Sequence, residues 1–169
     1  MRAILVDMDG TLCDVQGIRH YVECDRPDFR SFHEASRFCP TRPEVEAEVR
    51  RAAAEGLAVV IVTARDERFE RATRDFLLRH RIPYHALHMR PWGDRRRDAV
   101  VKAEILERIV REGFEPVRAI EDRLDIAQVW SAHGIEVSFV GDERSPGRSA
   151  PRGQPTPAAA SRRTGADDA

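Results

Sequence analysis

Asp7-Met8-Asp9-Gly10-Thr11-Leu12, set directly after the apolar run Ala3-Ile4-Leu5-Val6, is the stretch on which the fold turns. The run reads as a buried strand. Successive strand residues point to opposite faces, so positions 7 and 9 share one. Two carboxylates held that close repel unless a cation lies beside them. Gly10 lets the backbone turn, and Thr11 brings a hydroxyl that can fix a carboxylate. A plain surface turn uses Asp-Gly but needs neither Asp7 nor Thr11. The segment offers a carboxylate nucleophile, an acid/base and half of a Mg²⁺ site at one strand end.

The 169 residues suffice for one domain with a sizeable core and a tail. A formal net charge of −1 excludes a global attraction to nucleic acid or membrane, so any basic surface must be local. No apolar run approaches the ~20 residues of a membrane span, and Asp7 and Asp9 interrupt the N-terminal one before it can serve as a signal peptide. Cys13, Cys24 and Cys39 are an odd, sparse set, unlike a disulfide framework, and a cytoplasmic setting is expected. Of the 28 basic residues only Lys102 is lysine. Arginine does not replace a compact ammonium, so Lys102 is a candidate functional residue.

Five apolar, β-branched runs read as strands: 2–7, 57–63, 84–89, 117–121 and 135–140. Helical patterns occupy 43–55, 66–80, 97–112 and 124–133. Strands alternating with helices imply a Rossmann-like α/β fold, a parallel sheet covered on both faces. Its chemistry then sits beyond the carboxyl ends of the strands. The segment 13–42 breaks the alternation and reads as a small flap inserted in a domain over 1–141. Residues 142–169, rich in Gly, Pro, Ser, Ala and Arg, read as a disordered tail.

Three further segments fall at strand ends or beside them. Val62-Thr63-Ala64-Arg65 puts a hydroxyl at a strand end before a helix, where it can cap the helix or meet a phosphate oxygen. Lys102 lies near a helix start, where the dipole disfavours a cation, and Asp98 at i−4 can hold it. Glu121 and Asp122 bring two more acids to another strand end. With Asp7 and Asp9 they complete an oxygen shell suited to Mg²⁺.

Asp7-Met8-Asp9-Gly10-Thr11, Thr63, Lys102 and Glu121-Asp122, in that order, resemble the four motifs of the haloacid dehalogenase superfamily. A narrower likeness runs through Leu87-His88-Met89-Arg90-Pro91-Trp92-Gly93-Asp94, Arg97-Asp98, Lys102, Ala119-Ile120-Glu121-Asp122-Arg123 and Trp130. Together with Tyr21, Cys24-Asp25 and Thr63-Ala64-Arg65 it resembles the 3′-phosphatase domain of polynucleotide kinase/phosphatases. The relatives often carry Asp-Asp where this chain has Glu121-Asp122. No Gly-x-x-x-x-Gly-Lys-Ser/Thr occurs, so the kinase half is absent from this sequence.

By that resemblance Asp7 is the nucleophile and Asp9 the acid/base, with Thr63 and Lys102 on the phosphate oxygens. Mg²⁺ is held by Asp7, the Asp9 carbonyl and Asp122, with Glu121 acting through water. Thr11, Arg65, Arg90, Asp98 and Arg123 serve substrate binding, Asp98 by orienting the arginines. The implied activity is a Mg²⁺-dependent polynucleotide 3′-phosphatase working through an aspartyl-phosphate. Its partners are nucleic-acid 3′ ends, single-stranded or nicked, with a separate 5′ kinase or ligase and no membrane. Arg90, Arg95, Arg96 and Arg97 around Trp92 form a local basic cluster of the kind used for single strands. The alternatives are a small-molecule phosphatase such as a nucleotidase and a non-catalytic interaction module. His20, Cys24, His33 and Cys39 are zinc-ligand types, but their spacing matches no common zinc module.

Overall fold

In the first strand alternate residues go to opposite layers, which places every later element. The computed structural model describes residues 1–141; the expected tail, 142–169, lies outside the described residues. The elements in chain order are β1 (Arg2–Val6), α1 (Phe29–Ser36), α2 (Pro43–Ala54), β2 (Ala58–Asp66) and α3 (Glu70–Arg79). After them come β3 (Ala86–Arg90), α4 (Asp98–Arg111), β4 (Glu115–Glu121), α5 (Leu124–Ala132) and β5 (Glu136–Phe139). All strand pairs are parallel and the sheet order is β3-β2-β1-β4-β5. This is a Rossmann-like α/β fold, a parallel sheet with helices on both faces. No helix among the described residues is long and apolar enough to cross a membrane.

Ile4 and Val6 of β1 join Val59, Ile61 and Ile120 in one layer, closed by Val45, Val49, Phe76 and Leu77 from α2 and α3. Ala3 and Leu5 join Val60 and Val62 in the other, against Val101, Ile105 and Ile109 of α4 and Ile126 and Trp130 of α5. The period of two in the strands and the 3.6-residue stripe in the helices thus meet in two apolar layers. The chain runs outward from β1 to β2 and β3, then crosses back through α4 to β4 on the other flank. That reversal opens a crevice beyond the carboxyl ends of β1 and β4, the usual place for a ligand in such sheets.

The expected strands and helices all appear, with one boundary that matters. β2 was expected to stop at Thr63 but continues to Asp66, followed by a short 3₁₀ turn, Glu67–Phe69, before α3. Thr63 therefore lies within extended backbone and caps no helix. The cause is side-chain pairing at the strand end. Arg65 is drawn inward, and Asp66 caps the 3₁₀ turn through the Arg68 amide (2.9 Å).

The segment between β1 and α2 holds a 3₁₀ helix, Gln16–Tyr21, and α1, neither of which the hydrophobic pattern announced. Asp28 starts α1 by accepting from the Ser31 amide at 2.9 Å. This flap is tied down at several points. Arg37 pairs with Asp75 of α3 at 2.5 Å, and His80 donates to the Cys39 carbonyl at 3.0 Å. Its base is closed by backbone hydrogen bonds, the Asp14 N–H donating to the Pro40 carbonyl and the Arg42 N–H to the Leu12 carbonyl, both 3.0 Å.

Candidate active site

Asp7 leaves the end of β1 in the crevice, with its amide bonded to the Ile120 carbonyl of β4 at 3.2 Å. The Lys102 ammonium, from the first turns of the crossover helix α4, donates to Asp7 Oδ1 at 2.6 Å and to Glu121 Oε2 at 2.8 Å. Lys102 and Glu121 are each 1% exposed and Asp7 8%. Burial alone would discharge the lysine, but Asp7 and Glu121 outweigh it and hold the ammonium above its usual range. The expectation that Asp98 holds Lys102 is corrected: the helix carries the two side chains to different neighbours. Trp130 Nε1 from α5 also donates to Glu121 Oε2, at 3.4 Å.

Asp122 follows Glu121 and accepts from the Thr11 hydroxyl at 3.2 Å. Asp7, Glu121 and Asp122 each offer an oxygen within 4.8 Å of the others. Burial, reinforced by Asp7, pushes the Glu121 carboxyl up to about 8 and that of Asp122 to about 6. Three acids facing one ammonium need further positive charge, and an all-oxygen donor set fits a hard divalent cation such as Mg²⁺. The Asp9 carboxyl is not in this group.

Gly10 has φ +88°, and a Cβ there would fall inside the contact radius of Asp122 Oδ2. Gly10→Ala is thus expected to push Asp122 out of the cluster. It should destabilise by about 1–3 kcal/mol, which thermal unfolding of the variant beside wild type checks.

Asp9 points to the other side of the crevice. Arg65 grips it with two parallel bonds, Nε to Oδ2 at 2.7 Å and Nη2 to Oδ1 at 2.5 Å, and its Nη1 donates to Thr73 Oγ1 at 3.1 Å. The Arg65 side chain has no exposure. Burial would raise the Asp9 carboxyl, but Arg65 outweighs it and holds the group below the usual range. Thr63, 1% exposed, accepts from the Arg65 amide at 3.2 Å.

A second charge network lies on the α4 side. Asp98 binds Arg90 through Oδ1 and Arg123 through Oδ2. Arg90 also donates to the carbonyls of Ala64 (2.9 Å) and Arg96 (2.9 Å), and Arg123 pairs with Asp125 at 2.9 Å. Asp98 thus joins the two arginines. In the neighbouring loop Arg96 is taken up by Asp94 and Glu104. Arg95, Arg97 and Trp92 stay exposed, Trp92 at 73%.

Three contributors were not found as such in the sequence. Arg42 Nη1 donates to the carbonyls of Gly10 (2.9 Å) and Val140 (3.0 Å), pinning the first loop to the end of the sheet. Thr73 and His33 enter from α3 and the flap. In the sequence His33 stands out only as a zinc-ligand type, and nothing local marks Thr73. Within that zinc-type quartet, His33 and Cys39 are buried while His20 and Cys24 are exposed.

A sequence model of the family described as "Polynucleotide kinase PNKP phosphatase domain" matches residues 1–143. The chain belongs to that family. As a PNKP phosphatase-domain protein it is a haloacid dehalogenase phosphatase, a phosphomonoester hydrolase by class. A chain of the "Pnkp1/Rnl/Hen1 RNA repair complex" superimposes with TM-score 0.71 at 21% identity, covering 83% of this chain and 42% of that one. A class C acid phosphatase from Bacillus anthracis with tungstate bound gives TM-score 0.61 at 13% identity, over 86% of this chain and 68% of that one. D,D-heptose 1,7-bisphosphate phosphatase from B. bronchiseptica, complexed with magnesium and phosphate, gives 0.54 at 18%, over 82% and 80%. These likenesses establish the fold. The PNKP-family domain spans less than half of the Pnkp1-complex chain.

Proposed function

We propose that this chain is a Mg²⁺-dependent polynucleotide 3′-phosphatase that clears 3′-phosphate ends for repair. The observation that carries the chemistry is the Lys102 ammonium 2.6 Å from Asp7, buried beside Glu121 and Asp122. Asp7 attacks phosphorus in line and the bond to the 3′ oxygen breaks, giving an aspartyl-phosphate. Asp9 gives the departing oxygen a proton. In the second half a water attacks phosphorus, Asp9 takes its proton, and inorganic phosphate leaves as the Asp7 carboxylate re-forms. The proton gained there serves the next leaving group. Arg65 favours the ionised form of Asp9, the form that receives the water's proton.

Asp7, Asp122 and the Asp9 carbonyl would hold Mg²⁺, with Glu121 acting through water. When bound, Mg²⁺ neutralises phosphate charge so that an anionic nucleophile can approach. Lys102 spends two of its three N–H donors on Asp7 and Glu121, and the third is proposed for a phosphate oxygen, with the Thr63 hydroxyl on another. Arg65 acts by holding Asp9, and Asp98 by fixing Arg90 and Arg123.

The polynucleotide part of the reading is supported by the family match and by the 91–97 loop. There exposed Trp92, Arg95 and Arg97 suit a stacked, phosphate-rich strand. A small flap in place of a bulky cap suits a polymer end. A 5′ kinase or ligase is the partner class that such an activity implies.

Phosphate release from 3′-phosphorylated oligonucleotides, 5′-phosphorylated oligonucleotides and mononucleotides tests the substrate, with Asp7→Asn as the blank. The 3′-phosphorylated oligonucleotide is expected to turn over at least ten times faster than either competitor. Faster mononucleotide turnover would make the chain a nucleotidase.

A further inference from the structure

Among the described residues, three buried side-chain atoms lack a hydrogen-bond partner: Arg37 Nε, His88 Nε2 and His33 Nδ1. Arg37 keeps its charge partner Asp75 through Nη2, and His88 Nε2 lies 3.3 Å from Glu112. His33 is different because its free nitrogen faces the site. It sits on α1 of the flap, 9% exposed, with Nδ1 4.0 Å from Asp9 Oδ2. Its ring is wedged between Phe32 (5.2 Å between centroids) and Phe69 (4.6 Å), so it has little freedom to turn away. A buried polar nitrogen is normally paired, and contacts of catalytic groups are often long until substrate is bound.

We propose that His33 is a positioning residue for Asp9, holding its carboxylate from the flap side while Arg65 holds it from the sheet side. Arg65 takes one lone pair on each oxygen, and a carboxylate oxygen has a second to offer. The carboxylate selects the tautomer with hydrogen on Nδ1. An inward shift of about 1 Å brings the pair to hydrogen-bond length. The flap then does more than wall the crevice. It aims Asp9 at the water that attacks the aspartyl-phosphate. In that step the water's proton goes to Asp9, its oxygen bonds to phosphorus, and the Asp7–phosphorus bond breaks with its electron pair returning to Asp7. The inference rests on the roles given above to Asp7 and Asp9, and not on the substrate's being a polynucleotide.

The test is pre-steady-state turnover of an aryl phosphate with Mg²⁺, which separates phosphorylation of Asp7 (the burst) from hydrolysis of the aspartyl-phosphate (the steady rate). His33→Phe keeps the ring packing and loses the nitrogen. It is expected to lower the steady rate about ten- to a hundredfold. The burst rate with the aryl phosphate, whose leaving group needs no proton from Asp9, should stay within about threefold, and KM for a 3′-phosphorylated oligonucleotide should not rise. His33→Asn puts a donor where Nδ1 stands and should recover most of the steady rate; His33→Gln, whose donor lies where Nε2 stands, should not. Equal loss of burst and steady rates, no loss at all, or equal rescue by Asn and Gln overturns the role of His33 alone. Wild-type protein that releases no phosphate from either substrate overturns the phosphatase reading beneath it as well.

Discussion

Asp7→Asn is expected to abolish phosphate release, with kcat down by about 10⁴-fold or more. The amide is nearly isosteric with the carboxylate but cannot form the aspartyl-phosphate. The position sits where three acids face one ammonium, so losing one negative charge removes repulsion from Glu121 and Asp122 as well as attraction to Lys102. These effects oppose each other, and the stability change should stay within about 1 kcal/mol. Phosphate release and thermal unfolding on the same preparation check the pair of expectations. Residual activity within a hundredfold of wild type would place the nucleophile elsewhere.

Lys102→Met is expected to cost both activity and fold. Removing the ammonium leaves Asp7 and Glu121 buried without their cation, and breaking a buried pair by deleting one partner costs about 3–5 kcal/mol. For a domain of this size that is a fall in Tm of about 10 °C. Lys102→Arg should not rescue it, because a guanidinium needs more room and a flat fork of partners. Thermal unfolding measures the loss directly. A Tm unchanged in Lys102→Met would show that the pair contributes nothing net, and phosphate release would then report the lysine's catalytic share alone.

The central site was legible because its parts sit at the carboxyl ends of strands that the apolar runs mark. Asp7, Glu121 and Asp122 are placed by β1 and β4 alone. Lys102 could be picked out by composition, and α4 shows that it is no solvated side chain: it shares the buried stripe of Val101, Ile105, Leu106 and Ile109. What sequence could not supply is which distant charge meets which. The Arg65–Asp9 grip spans 56 positions and Arg42–Val140 spans 98. Helical spacing points Asp98 at Lys102, but i−4 proximity counts for little when Arg90 and Arg123 arrive from two other elements. The flap was legible only as an interruption. Its 3₁₀ helix and α1 are short and mostly polar and reach the core through few apolar residues, chiefly Phe32 with Ile18 and Tyr21 beside it, too few turns for a periodicity that would announce His33.

The burial of Lys102 reaches beyond catalysis. The one ε-amine in the sequence lies 1% exposed between two carboxylates that keep it charged and therefore unreactive. Reagents that acylate amines have no surface lysine to modify on the folded protein. They gain access only when α4 parts from the sheet. The rate at which such a reagent marks Lys102 is thus a clock for opening of the catalytic core, written into the chain without any introduced label.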